Sequence, residues 1–312
     1  MIFFPIDNVF IEGPDCSGKT SLINSIHSQT QYKWHLMDRS QFSRSIFAKM
    51  YGRNISGLAE SERSEFYNLN NFTVILIPPR DEIIKRFKER GDEIHNMKSL
   101  MQVYDLFLSS VSSVISFPHF YSPSLFKKET SDEIGKDLCN VLDKREKMSI
   151  SGISGVISSF AMASPRNEAS GISLTFYENL GFEDVKSSVM STKSESKYYK
   201  KILNGIIKKI KQEIKGNNEY NLPQGLSSRR FIYTDDSCIS LIHATCRNSV
   251  LDLHVVFRST DVQEKLSHDL NFIYYLSKEV YNVLKDLGRI ESVRYRLFFN
   301  SAHILKVFNP VC

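Results

Sequence analysis

The chain has 312 residues, 41% of them hydrophobic and 24% charged, with a formal net charge of +5. That composition supports folded cores and excludes a disordered chain. The mild positive charge suits an anionic ligand, and no basic block or nucleic-acid motif stands out, so no direct nucleic-acid binding is expected. The five cysteines, an odd number without metal-type spacing, are expected to be reduced thiols in a cytoplasmic protein. No stretch approaches the length of a membrane span, so no membrane partner is expected.

The opening MIFFPIDNVF is apolar but short and lacks a basic leader. It reads as the approach to a buried strand at 8–12 rather than as a signal peptide. Residues 13–20, GPDCSGKT, then form a complete GxxxxGK[ST] loop. Its glycines let backbone N–H groups turn inward around a phosphate, and a helix over 21–30 offers its positive end. Lys19 reaches the terminal phosphates and the Thr20 hydroxyl can bind Mg²⁺. Gly13, Asp15, Ser17, Gly18, Lys19 and Thr20 are therefore the expected ATP–Mg²⁺ site. Strands follow at 32–37 and 72–77, the second closed by Pro78-Pro79. A helix over 80–90 carries Ile83, Ile84 and Phe87 on one face. A helix near 131–143 closes the segment. This alternation predicts an α/β fold, a parallel sheet with flanking helices. The run 144–155, KREKMSISGISG, turns from charged to small and polar. It sets a domain at 1–145, a linker at 146–155 and a second domain at 156–312.

The residues around the loop carry a resemblance. IEGPDCSGKTSL resembles thymidylate kinases. DRSQFS, 38–43, resembles the D/E-R-S motif of deoxynucleoside and deoxynucleotide kinases. PPRDEIIKRFKERGDE, 78–93, resembles their lid helix, and Tyr104 and Phe107 match the helix after it. The resemblance covers 8–143 and implies an ATP- and Mg²⁺-dependent deoxynucleoside monophosphate kinase. It implies that Asp38 lies near Mg²⁺ or the acceptor, that Asp15 lies near the acceptor, and that Arg39 holds the acceptor phosphate. Arg86 and Arg90 would stabilise charge on the transferring phosphoryl group. An exposed helix face is the plainer reading of both arginines, and a helix-start role that of Asp15. Cys16 stands where the family has glycine. Only 17 residues separate Thr20 from Asp38, where the family inserts a strand and helices, so the acceptor side is expected to be minimal.

Beyond the linker the pattern changes. Residues 197–215 carry an isoleucine-rich helical stripe opposite lysines, which read as a solvated face. β-like runs follow at 231–245 and 250–257, then an apolar-striped helix at 269–286. Arginines stand beside serines in SPRNEASG (164–171), SSRRFIY (227–233) and FRSTD (257–261), and guanidinium groups match phosphate oxygens. The segment 238–261 resembles the thymidylate synthase family, in which a nucleophilic cysteine precedes an RSxD motif by 20 residues, as Cys238 precedes Arg258. The resemblance covers roughly 160–305 and implies an α+β domain. It implies a phosphate cage of Arg166, Arg229, Arg230 and Arg258 with Ser259 and Asp261, two of the arginines reaching across a homodimer. NSAHIL, 300–305, makes His303 a sugar contact. Cys238 would add to C6 of a pyrimidine nucleotide and activate C5 toward a one-carbon unit from methylenetetrahydrofolate. Cys246 is a rival nucleophile. Asp269, eleven residues past Arg258, would read cytosine, whereas Asn271 would read uracil. Asp269 can equally cap its helix. Several family features are missing: Ile239 follows the cysteine where the family has His, Leu305 replaces a tyrosine, and no folate segment is recognisable.

The sequence thus predicts a bifunctional pyrimidine deoxynucleotide enzyme, a pairing that resembles those of viruses that make modified bases. Two alternatives stand beside it. One is a kinase with a non-catalytic synthase-like module. The other is a nucleotide-sensing P-loop unit attached to a C5 transferase.

Overall fold

The computed structural model describes residues 2–54, 58–90, 96–123, 130–179, 193–216, 231–287 and 289–305. Two compact units divide the chain, Ile6–Glu146 on one hand and Met1–Pro5 with Lys147–Cys312 on the other. The first residues thus leave the expected 1–145 domain. Strand β1 (Ile2–Phe3) pairs antiparallel with Tyr177 and Glu178 of the second unit. The expected linker at 146–155 is also largely helical. It holds the last residue of one helix and the first two turns of another at Ile150–Ala163. Its glycines and serines hide a helical stripe, Ile153, Ile157, Phe160 and Ala161, which is buried.

In the Ile6–Glu146 unit, β2 (Asn8–Glu12) leads through the glycine loop into α1 (Lys19–Thr30). There follow β3 (Leu36–Asp38), α2 (Gln41–Met50), α3 (Leu58–Phe66), β4 (Asn71–Ile75), α4 (Arg80–Arg90), α5 (Met97–Val114), β5 (Phe120–Tyr121) and α6 (Ser131–Glu146). The four strands form one parallel sheet in the order β3-β2-β4-β5. β3 pairs directly with β2, so the short run from Thr20 to Asp38 holds α1 and no extra strand.

β4 is buried throughout, as a parallel strand covered on both faces must be. Its side chains divide by the two-residue strand period. Phe72, Val74 and Leu76 pack with Val9, Ile11, Leu22 and Ile26, and with Leu138 and Leu142 of α6. Ile75 and Ile77 pack the other way, with Ile46 of α2, Ile83 of α4 and Leu100, Val103 and Phe107 of α5. The result is three layers, with the glycine loop at the carboxyl end of a central strand, where α/β sheets bind ligands.

The second unit contains α7 (Ile150–Ala163), β6 (Glu168–Ala169), β7 (Ile172–Asn179), α8 (Lys193–Gly216), β8 (Ile232–Thr234), β9 (Ile239–Arg247) and β10 (Val250–Phe257). β11 (Thr260–Asp261), α9 (Leu266–Leu284), β12 (Ser292–Phe299) and β13 (Ala302–His303) complete it. A six-stranded sheet runs β1-β7-β12-β10-β9-β8, with β10 and β12 parallel and the other pairs antiparallel. Burial alternates along β7, β10 and β12, the pattern of a sheet with one covered face. α9 meets that face, where Tyr274 donates to Glu178 at 2.5 Å and Ser277 bonds Tyr295 at 2.7 Å. A small sheet, β11-β13-β6, joins segments from three places in the sequence.

Gly205 of α8 is where that helix meets β8. A Cβ there would lie 2.2 Å from Cε2 of Tyr233. Alanine favours a helix interior by about 1 kcal/mol over glycine, but overpacking costs about 1–3 kcal/mol. Gly205→Ala is expected to lower the denaturant midpoint of the second unit, and a raised midpoint would contradict this packing.

Candidate active site

β2 ends in Glu12 and the chain then turns twice through conformations that side chains resist. Gly13 has φ 147°, and a Cβ on it would sit 2.4 Å from the Leu76 carbonyl oxygen. Gly18 has φ 96° and caps α1. Cys16 adopts φ 64° without being glycine, a strain that side chains usually avoid. The turn opens onto a cleft of about 650 Å³. Of the residues expected from sequence, Asp15, Ser17, Gly18, Lys19, Thr20, Asp38, Arg39, Arg86 and Arg90 all line it, whereas Gly13 does not. Glu89 and Ser131 line it as well and carry no motif that would have marked them.

Lys19 is nearly buried, and its Nζ donates to the carbonyls of Gly13 and Pro14 at 2.9 Å each. Burial pushes the ammonium down from its ordinary value, and the carboxylates of Asp15, Asp38 and Glu12 oppose that. Arg39, at the end of β3, has φ 75°. Its Nη2 lies 2.7 Å from Asp15 Oδ1, and its guanidinium stacks 4.7 Å from the Phe47 ring centre. The pair is partly exposed, so it orients Arg39 more than it stabilises the fold. Arg86, on α4, bonds Glu82 at 3.1 Å and donates to the Cys16 carbonyl at 3.3 Å. α4 thus rests on the loop through Arg86.

Glu12 was not marked by sequence reasoning, yet it is fully buried directly under the loop. Its Oε1 accepts a short hydrogen bond from the Ser40 N–H, and its Oε2 has no hydrogen-bond partner among the described residues. Burial raises its pKa, while the Ser40 and Ser43 hydroxyls and the charge on Lys19 favour its ionised form. The only sequence cue was an acid at the end of an otherwise apolar strand. Thr20 and Asp38 offer the hard oxygen donors Mg²⁺ prefers beside phosphate, and both face the cleft, so this donor set fits that ion.

In the second unit, some of the expected residues lie on neighbouring segments. The Arg258 N–H donates to the Cys238 carbonyl at 2.7 Å. Thr260 and Asp261 pair with Ala302 and His303, and His303 pairs with Glu168, two residues from the exposed, positive-φ Arg166. Ser259 is half-buried beside the exposed Arg258. Arg229 and Arg230 lie outside the described residues.

Three expectations meet other surroundings there. Asp261 is buried and its Oδ1 accepts from the N–H groups of Gln263 and Glu264, which closes the turn into α9. Asp269 is 2% exposed, and its oxygens accept from Tyr199 at 2.8 Å and Thr260 at 3.0 Å, so it knits α8, β11 and α9 together. Asn271 is half-buried and donates to the Ser267 carbonyl of its own helix, because two residues turn a helix through about 200°. It does not share the face of Asp269. Cys246, the rival thiol, is buried at the far end of β9 with its pKa raised by desolvation, whereas Cys238 is half-buried.

Fold and cleft together make the Ile6–Glu146 unit a P-loop α/β unit. No family profile matches the chain, and no curated protein matches it. Solved structures that it is similar to include the YorR protein of Bacillus subtilis, crystallised with phosphorylated GDP, at 19% identity and a TM-score of 0.35. That match covers 44% of this chain and 95% of the other. A deoxyadenosine kinase from M. mycoides, with products dCMP and a flexible dCDP bound, is 11% identical with a TM-score of 0.34. It too covers 44% of this chain, and 98% of its own. Among the described residues no helix is long and apolar enough to cross a membrane.

Burial raises the Asp269 carboxyl from 3.8 to about 6. A carboxyl raised in the folded state contributes stability below its unfolded pKa and loses it as pH climbs through the folded one. The loss is on the order of 3 kcal/mol. The second unit is therefore expected to weaken between about pH 4 and 6 by this group, and Asp269→Asn should flatten that slope in urea titrations. An unchanged slope would contradict the burial.

Proposed function

We propose that the Ile6–Glu146 unit is an ATP-dependent kinase of a pyrimidine deoxynucleoside monophosphate. The observation that carries this is the convergence of Lys19, Arg39, Arg86 and Arg90 with Asp38 and the glycine loop on one cleft. A single triphosphate is met by the loop amides and Lys19. The further guanidinium groups suit a second anion, an acceptor that brings its own phosphate. An acceptor phosphate oxygen attacks the γ-phosphorus in line, the bond to the bridging β-oxygen breaks, and ADP leaves. Arg86, fixed against the loop by Glu82 and the Cys16 carbonyl, meets charge on the transferring group. Arg39 holds the acceptor, its Asp15 partner limiting where it swings. Thr20 and Asp38 would hold Mg²⁺, which when bound would supply charge neutralisation at the donor phosphates. Lys19→Ala is expected to lower transfer from ATP to deoxynucleoside monophosphates by about 100- to 1,000-fold. Label transfer from γ-³²P ATP measures it, and an unchanged rate would remove the kinase reading.

A second activity is favoured by one observation in the other unit, the backbone bond between Arg258 and Cys238. It supports reading Cys238 as a thiol beside a phosphate-binding arginine, in a site for dUMP or dCMP completed in a homodimer. The thiolate would add to C6, C5 would take a proton from water and lose its own, and the thiolate would leave. Tritium at C5 of either nucleotide should then wash out slowly into water. Cys238→Ala should abolish that release. Washout that survives the substitution would leave a binding module without this chemistry.

A further inference from the structure

Glu12 is the last residue of β2 and 0% exposed, an expensive place for a carboxylate. What its carboxylate touches is the next strand's outlet. Oε1 accepts from the Ser40 N–H, immediately after Asp38 and Arg39. The Arg39 N–H is tied in turn to the Ile11 carbonyl at 3.2 Å. Ser40 also caps α2, its hydroxyl accepting from the Phe42 N–H at 3.0 Å. Arg39 sits between these two anchors at φ 75°, a conformation its side chain disfavours. A segment bent that way keeps its shape only where its surroundings overdetermine it.

We infer that Glu12 is a positioning residue, whose buried carboxylate holds the Asp38–Arg39–Ser40 bend and so aims Arg39 at the acceptor phosphate. This rests on the kinase reading for its catalytic consequence. Reach is what matters in it: an oxygen must arrive at the Ser40 N–H. Glutamine keeps that reach and drops the charge. Aspartate keeps the charge and falls one methylene short.

The test uses the full chain with Glu12→Gln and Glu12→Asp. Hydrogen exchange over residues 36–44 reports the bend without any need for turnover. A fluorescent ADP analogue reports the donor side, and steady-state kinetics report KM for the acceptor and kcat. Glu12→Gln is expected to match the wild type within about threefold throughout. Glu12→Asp is expected to speed exchange in 36–44 and to cut kcat/KM for the acceptor by up to about 100-fold, as displaced catalytic groups do. Its affinity for the ADP analogue should change less than threefold. The reverse pattern, with aspartate tolerated and glutamine not, would mean that charge opposite Lys19 is what counts, and would overturn the inference. So would unchanged exchange in Glu12→Asp, or equal losses on the donor and acceptor sides. A wild type that transfers no phosphate would instead sink the kinase reading, and the exchange data alone would then judge the anchor.

Discussion

The Ile6–Glu146 unit depends on how closely its glycine loop returns to the neighbouring strand. Gly13 lies where any side-chain carbon would strike the Leu76 carbonyl, 2.4 Å away. The Leu76 N–H in turn donates to the Glu12 carbonyl at 2.8 Å. The central strand is therefore zipped to β4 up to its last residue and then forced to turn. On its other side the Arg39 N–H closes on Ile11. Both neighbours of β2 are thus fixed at the level of the loop. That is how residues far apart in sequence reach one cleft.

That rigidity carries strain with it. Cys16 and Arg39 both adopt left-handed backbone conformations, and both border the cleft. Each is also pinned by a polar contact, Cys16 through its carbonyl to Arg86 and Arg39 through Asp15. On the proposed kinase reading, cations held by neighbours before substrate arrives would lose little orientational freedom during transfer, which is the physical basis of preorganised electrostatic catalysis. The nearly buried Lys19, with its ammonium favoured by three nearby carboxylates and disfavoured by burial, belongs to the same design.

Much of the first unit was legible in the sequence because its signals are local. A glycine loop, an apolar run closed by two prolines and a helix with one apolar face each declare themselves within a few residues. The strand expected at 32–37 shrank to Leu36–Asp38, and α2 and α3 were not anticipated, since their amphipathic faces are short. In the second unit, weight given to glycine and serine concealed α7 behind a supposed linker. Pairing of β1 with β7 is a contact over more than 170 residues, which no local pattern announces. The same limit applies to the sites. Lys19 and Thr20 are named by their motif. Glu12 is named only by its burial, and Asp269 turned from a candidate base reader into a bonded core carboxylate once Tyr199 and Thr260 came into view.

The central claim is that this cleft passes a phosphoryl group between two nucleotides rather than to water. Phosphorus NMR of the full chain with ATP, Mg²⁺ and dTMP, dUMP or dCMP separates these outcomes in one spectrum. The account predicts resonances of a new deoxynucleoside diphosphate rising together with those of ADP, and no matching rise of inorganic phosphate. ADP and inorganic phosphate alone, or no change with any acceptor, would contradict it.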